Sequence, residues 1–354
     1  MRRTIERINR HVPPAVRHNA VTGKILSELY RVIIPVDDQF QEQMSKALEM
    51  YEDKSVDRKA LYNDMLSEFV TAWIRPVEYA KFELFHKSPE ERRAYIPDHE
   101  EVTIFKRTEG SNILPDSKFE RYLMFRKYFR RDVLCVDEQR SVSEEEYKKF
   151  IAGKETVVVK PLKGTKGHGV AMVSTKEIPG LSEFGNRFPG ACLVEEMIMQ
   201  GEELKKFHLE SVNTVRFVTG MDHSGGFHNL FSLVRIGQGD SIIDNVAGGG
   251  LVALVDMEKG RICSSACRGT ERFEYHPDTN VRIEGTEIPQ WEELCSLVRE
   301  IHLSQPGQRI FGFDMAWTTS GWDLVEINPA PSFDSYQELT GKGIRPYLQR
   351  TGIL

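Results

Sequence analysis

Three polar residues, Asp314, Glu326 and Asn328, fall within FGFDMAWTTSGWDLVEINPAPSF, the segment from Phe311 to Phe333 that reads as a strand, a tight turn and a second strand. Phe311, Phe313, Met315 and Trp317 alternate with smaller or polar residues. The same period of two puts Trp322, Leu324, Glu326 and Asn328 on one face of the second strand. A three-residue loop of Thr319, Ser320 and Gly321, with the glycine left-handed in a bulged hairpin, then pairs Asp314 with Glu326. Carboxylates directly opposite each other on a sheet repel, so the pair invites a cation. With the Asn328 carbonyl the donor set is all oxygen, which suits Mg²⁺ rather than zinc, and Mg²⁺ held by so few carboxylates shares its shell with phosphates. The plain alternative is a solvated hairpin whose polar residues face water.

A second group could receive those phosphates. In TVVVKPLKGTKGHGVAMVS a strand ends at Lys160, and a loop with Gly164, Gly167 and Gly169 leads into another strand. Glycines let backbone amides approach an anion closely, and Lys160 adds a positive charge there. The spacing is neither a Walker A nor a dinucleotide fingerprint, and a strand rather than a helix follows. Alone the motif is a glycine-rich hairpin; with a distant Mg²⁺ set it gains meaning. His168 reads as a loop residue rather than an acid or base.

The elements that must position these groups fall into two textures. From about Ile5 to Phe105 apolar residues recur at helical spacing in LYNDMLSEFVTAWI and VEYAKFELFHKSPEERRAY, and Pro13, Pro14, Pro76, Pro89 and Pro97 divide the region into several helices. LPDSKFERYLMFRKYF reads as a capped helix beginning near Lys118. Short Val- and Ile-rich runs separated by glycine follow: ETVVVK, GVAMVS, ACLVEEMI, NTVRFVTG, NLFSLVRIG and LVALVD. This order implies α+β layers rather than regular β-α-β alternation.

Composition narrows the partners. The 354 residues carry 47 basic and 53 acidic side chains, a net charge of −6, which disfavours a general nucleic-acid binder. No apolar run is long enough to span a bilayer, and MRRTIERINRHVPPAV has arginines but no apolar core, so it reads as a solvated helix end rather than a secretory signal. Cys135, Cys192, Cys263, Cys267 and Cys295 are scattered and odd in number, as expected of reduced cytoplasmic thiols.

The succession of Lys118, Lys160 with its glycine loop, the strand CLVEEMI, and Asp314 with Glu326 to Asn328 resembles the ATP-grasp superfamily. More narrowly, QGEELKKFHLESVNTVRFVTG, LVRIGQGDSIIDNVAGGGLVALVD and FGFDMAWTTSGWDLVEINPAPSF look like the sugar-transfer-associated ATP-grasp family, over approximately Leu114 to Ser332. DNVAGGG and DLVEINPAPSF are the specific portions, and Lys118 is placed by position.

The resemblance implies an ATP-grasp fold, with ATP gripped between two α+β lobes and a mainly helical region in front. The expected division is 1–105 helical, 106–190 the first lobe with the glycine loop, and 191–354 the second lobe with the metal-binding strands. Lys118 and Lys160 would contact phosphates under the Gly164, Gly167 and Gly169 loop. Backbone groups near Glu195, Glu196 and Met197 would read the adenine edge, and Glu203 or His208 would reach the ribose. Asp314, Glu326 and Asn328 match the metal positions. Arg235, Asp244 and Asn245 lie where phosphate and acceptor contacts are expected, with Gly248, Gly249 and Gly250 supplying backbone donors. Arg216, Arg235 and Asn245 are the candidate catalytic residues. Trp291 and Trp322 read as core aromatics.

The implied activity is a cytoplasmic ATP- and Mg²⁺-dependent ligase joining a small-molecule carboxylate to an amine through an acyl-phosphate, in glycan or exopolysaccharide modification. The alternatives are a kinase phosphorylating a hydroxyl from the same nucleotide site, and a nucleotide-binding scaffold without catalysis. The substrates' identities and the oligomeric state are not legible in the sequence.

Overall fold

The computed structural model describes residues 38–51, 55–108, 114–115, 117–139, 141–163, 169–242, 244, 248–269, 271–305 and 307–354. The N-terminal stretch through Val16 therefore lies outside the described residues. The chain forms two compact units: residues up to Ile104 together with Ser332–Gln349, and Phe105–Pro331 together with Arg350–Leu354. Among the described residues no helix is long and apolar enough to cross a membrane.

The first unit is helical, as its spacing of apolar residues predicts. Arg58–Ala72 starts where the Asp57 carboxylate accepts from the Lys59 and Ala60 backbone N–H groups at 2.9 and 3.3 Å. Pro76 and Pro89 each open a helix at its first turn, and Ser88 forms a reciprocal cap with Glu91 ahead of Pro89–Arg93. Met44, Leu61, Met65, Tyr79, Phe82 and Leu84 share one apolar core. Ser332–Gln349, expected in the second lobe, groups instead with these helices. The Glu101 carboxylate accepts from the Phe333 backbone N–H at 2.7 Å, and the Gln337 amide bridges both backbone groups of Ile96.

The second unit holds two sheets and is α+β. In the first, β1 (Val133–Val136), β4 (Cys192–Glu196), β2 (Thr156–Pro161) and β3 (Ala171–Ser174) lie side by side in that order, all antiparallel. Val157, Val159, Val173 and Val194 turn one face toward Tyr147 and Phe184, which lie on helices Glu144–Ile151 and Leu181–Arg187. Cys192–Glu196 was expected in the second lobe; its hydrogen bonds place it inside this sheet, between β1 and β2.

Among the described residues the second sheet has eight strands, three of them, β8 (Arg261–Ile262), β9 (Ala266–Arg268) and β10 (Glu271–Phe273), at the β7 end. Its middle runs β7 (Leu251–Asp256), β6 (Phe227–Ile236), β5 (Thr214–Met221), β11 (Ile310–Thr318) and β12 (Gly321–Asn328). Val215, Phe217, Val234, Ala253, Phe313 and Met315 pack one face against Leu294, Val298 and Ile301 of helix Trp291–Leu303. The alternate residues of these strands, Arg216, Arg235 and Asp314 among them, are thereby turned to the other face.

The β11–β12 hairpin pairs Asp314 with Glu326 as predicted, by a different device. Thr318 pairs with Gly321, so the loop is the two residues Thr319 and Ser320, with Gly321 at φ 106°. Met315 pairs with Leu324 and Asp314 with Glu326, which leaves Val325 as the extra residue of a bulge. The bulge also corrects the expected face. Trp322, Leu324 and Ile327 belong to the apolar core, so Glu326 and Asn328 lie on the face opposite to Trp322 and Leu324. An unbulged continuation beyond Leu324 would turn Glu326 into that core.

Candidate active site

Strand register assembles a row of charges on the polar face of the second sheet. Asp314 on β11 sits between Arg216 on β5 and Glu326 on β12, and Arg235 on β6 is opposite Thr214, two positions along β5. The Asp314 carboxylate, only 1% exposed, accepts a two-pronged ion pair from Arg216, with the second contact at 2.8 Å. It also accepts from Arg235 Nη1 at 3.0 Å and from Asn328 Nδ2 at 3.4 Å. Arg235 extends its other arm to Asp244 Oδ1 at 2.6 Å, and Asp244 accepts in turn from the Thr214 hydroxyl. Glu326 is exposed.

The electrostatics follow from this geometry. Burial alone would raise the Asp314 carboxyl, but Arg216 and Arg235 outweigh it and hold the group below the usual carboxylate range. Burial likewise works against the Arg235 charge, and Asp244 and Asp314 overcome it. The buried Nε of Arg235 has no hydrogen-bond partner among the described residues, leaving a donor for an anionic oxygen.

Asp314, Glu326 and Asn328 present oxygen donors, the type Mg²⁺ takes, on one face of the sheet. Among the described residues no three His, Cys, Asp or Glu side chains gather closely enough to hold a metal. Asp314 and Glu326 with the Asn328 amide oxygen could therefore hold one only alongside ligands from a nucleotide or water, which is how Mg²⁺ is commonly bound.

The first sheet contributes a second cluster. Lys160 on β2 and Glu195 on β4 share the face away from the apolar core, and Lys160 Nζ meets Glu195 Oε2 at 2.8 Å. The same oxygen takes Arg131 Nε at 2.9 Å. Burial would raise the Glu195 carboxyl, but Lys160 and Arg131 reverse this and hold it at about 2. Its contribution to stability is thus present at neutral pH and lost only as the pH falls from the ordinary carboxylate value toward 2. Lys118, in the first turn of a helix capped by Ser117, brings Nζ within 3.4 Å of the Pro161 carbonyl, beside Lys160. Gly169 lies at φ 77°, and a Cβ there would come within 2.7 Å of the Pro161 ring, so glycine is required where the loop returns.

The remaining candidates are distributed differently. The Glu196 carboxylate is held by Lys154 at 3.0 Å and by the Asp132 backbone N–H at 2.8 Å; Met197 follows it, half-buried. Glu203 accepts from the Trp317 indole at 2.7 Å. Both ring nitrogens of His208 are engaged, with Ser211 Oγ at 2.9 Å and the Gly239 carbonyl at 2.8 Å. The Gly249 carbonyl accepts from Gln238 at 2.6 Å. Gly164, Gly167, His168 and Asn245 lie outside the described residues. A cavity of about 380 Å³, lined by Lys127, Arg130, Glu300 and Trp322 among others, contains none of the predicted site residues.

Sequence reading missed Arg131, Asp323 and Thr214. A charged Asp323 between apolar Trp322 and Leu324 is a signal, since an acid on the polar face of a buried strand needs a partner. Arg131, in the run Arg130-Arg131-Asp132, offers no comparable signal.

The family model described as sugar-transfer associated ATP-grasp matches residues 178–352. It covers Arg216, Arg235, Asp314, Glu326 and Asn328; Lys118 and Lys160 precede the matched span. The α+β class and the helical N-terminal region stand as read from the sequence. No curated protein matches the chain. Among solved structures, an N5-carboxyaminoimidazole synthetase from Staphylococcus aureus is 10% identical with a TM-score of 0.41, covering 67% of this chain and 51% of its own. A D-alanine–D-alanine ligase from Bacillus anthracis is 16% identical with a TM-score of 0.39, covering 72% of each chain. This chain spans about half the length of the carboxyaminoimidazole synthetase structures it matches.

Proposed function

We propose that this chain, whose residues 178–352 match the sugar-transfer associated ATP-grasp family, is an ATP-dependent carboxylate–amine ligase. The observation that carries the reading is the row of Arg216, Asp314 and Glu326 across three strands, completed by Arg235 and Asn328. Bound with the nucleotide, Mg²⁺ would offset phosphate charge, and Asp314, Glu326 and Asn328 would hold it.

Lys118 and Lys160 draw the phosphates toward the end of β2, and backbone amides of the glycine-rich sequence with Gly164, Gly167 and Gly169 would add donors. The backbone of Glu195, Glu196 and Met197 reads the adenine edge. Of the two ribose candidates, Glu203 is the better, because both His208 ring nitrogens are already engaged. The nucleotide lies between the first and second sheets, with β4 lending its end to the contact.

Arg216 and Arg235 stabilise charge while an oxygen of the acceptor carboxylate bonds to the γ-phosphorus and the bond to the β-phosphate oxygen breaks, releasing ADP. An amine then attacks the acyl carbon, phosphate leaves, and the amine proton passes to solvent or phosphate. Backbone groups around Asn245 and Gly248 to Gly250 would steady the anionic intermediate. The chain supplies positioning, charge and exclusion of water, with no covalent nucleophile. The substrates are a small carboxylate and an amine, one of them sugar-linked, and the setting is glycan or exopolysaccharide modification in the cytoplasm.

The test is ATP turnover with a panel of uronic acids and amino acids in the presence of hydroxylamine. The correct carboxylate is expected to yield ADP, phosphate and a hydroxamate identified by mass. ADP with a stable phosphate monoester and no hydroxamate would replace the ligase with a kinase.

A further inference from the structure

Arg131 is 4% exposed and makes four polar contacts in two directions. Its Nε meets Glu195 on β4 of the first sheet at 2.9 Å. Its Nη1 meets Asp323 at 3.0 Å and the Leu324 carbonyl at 2.8 Å, and its Nη2 meets the Val325 carbonyl at 3.2 Å, all on β12 of the second sheet. Asp323 is itself fixed by the Arg130 backbone N–H at 2.9 Å. These contacts fall on the bulge. Val325 is the residue without a partner on β11, and its carbonyl and its neighbour's are the ones the guanidinium takes.

The bulge decides which way Glu326 and Asn328 point, because an unbulged β12 would carry Glu326 to the core face. We propose that Arg131 is a positioning residue: by holding the Leu324 and Val325 carbonyls it maintains the bulge that aims Glu326 and Asn328 at the Asp314 face. Resting on the proposed Mg·ATP site, it adds a residue of the first sheet's approach that sets the geometry of the metal-facing strand. A planar fork with several fixed donors suits this task, and a lysine ammonium could keep the Glu195 charge contact but not the rest. Removing the fork therefore affects the metal side of the site more than the Lys160 side.

The experiment is calorimetric binding of a non-hydrolysable ATP analogue to the full chain, with saturating Mg²⁺ and with chelator, for wild type and Arg131→Lys. Wild type is expected to bind much more tightly with Mg²⁺. Arg131→Lys is expected to lose about tenfold of that gain while its affinity in chelator changes by less than about twofold, the split expected when one set of contacts is lost and a distant set kept. A general loosening of the fold would lower both affinities alike, and that result, or an unchanged Mg²⁺ gain, overturns the inference. If Arg131→Lys does not fold, Asp323→Asn decides the matter: it keeps the acceptor for the Arg130 N–H and sets an amide donor against the guanidinium, with the same split expected. Deleting Val325 from Arg131→Lys removes the need for a bulge while keeping Glu326 opposite Asp314, and should restore part of the gain. A wild type indifferent to Mg²⁺ would overturn the proposed function itself, a result distinct from a variant that keeps the wild-type gain.

Discussion

Glu326→Gln should lower turnover about a hundredfold and leave the thermal midpoint within error of wild type, while Asp314→Asn should lower both. Either change removes one charge from the set that would hold Mg²⁺, and losing a preorganised charge stabiliser costs about 3 kcal/mol in the transition state. The folded state treats the two differently. Glu326 is exposed, and its charge supports the buried Arg235 less than those of Asp244 and Asp314 do. Asp314 neutralises both Arg216 and Arg235 in a nearly closed environment, so Asp314→Asn leaves two guanidinium groups short of a carboxylate. Breaking a buried pair from one side costs about 3 kcal/mol of stability. Steady-state kinetics with thermal unfolding of both variants checks this. An active Glu326→Gln, or an Asp314→Asn as stable as wild type, would show that the row is misassigned.

Arg235→Lys should cost a further large loss, again about a hundredfold in kcat, with a small change in KM for ATP. The guanidinium holds Asp314 and Asp244 with its two terminal nitrogens and keeps Nε–H free of protein partners among the described residues. A lysine keeps the charge but cannot span two carboxylates and offer a third donor in a fixed plane. A loss confined to kcat marks an interaction made mainly in the transition state. A variant with full kcat and raised KM would assign Arg235 to ground-state nucleotide binding.

Much of this was legible in the sequence because the signals are local. The strand runs around Lys160, Arg216, Arg235 and Asp314 each carry a period of two or a β-branched cluster, and the helix starts at Pro76 and Pro89 carry their own punctuation. Other features were not legible, the place of β4 in the first sheet and the contacts of Arg131 among them. The bulge at Val325 depends on which residues of β12 the core accepts and on the carbonyl contacts of Arg131, far back in the chain, so the expected loop of Thr319 to Gly321 reached the correct Asp314–Glu326 pairing through the wrong turn and put Glu326 on the wrong face. The grouping of Ser332–Gln349 with the helices depends on partners such as Glu101 and Ile96, more than 200 positions away in the chain, which no local pattern announces.

The most direct test of carboxylate activation follows oxygen. The acceptor carboxylate that supports ATP turnover is labelled in both oxygens with ¹⁸O, and the phosphate released during amide formation is analysed by mass. An acyl-phosphate route must move one carboxylate oxygen into phosphate and leave the other in the amide, so each phosphate is expected to carry one ¹⁸O. Unlabelled phosphate, with the carboxylate recovered unconverted and carrying both labelled oxygens, would contradict it.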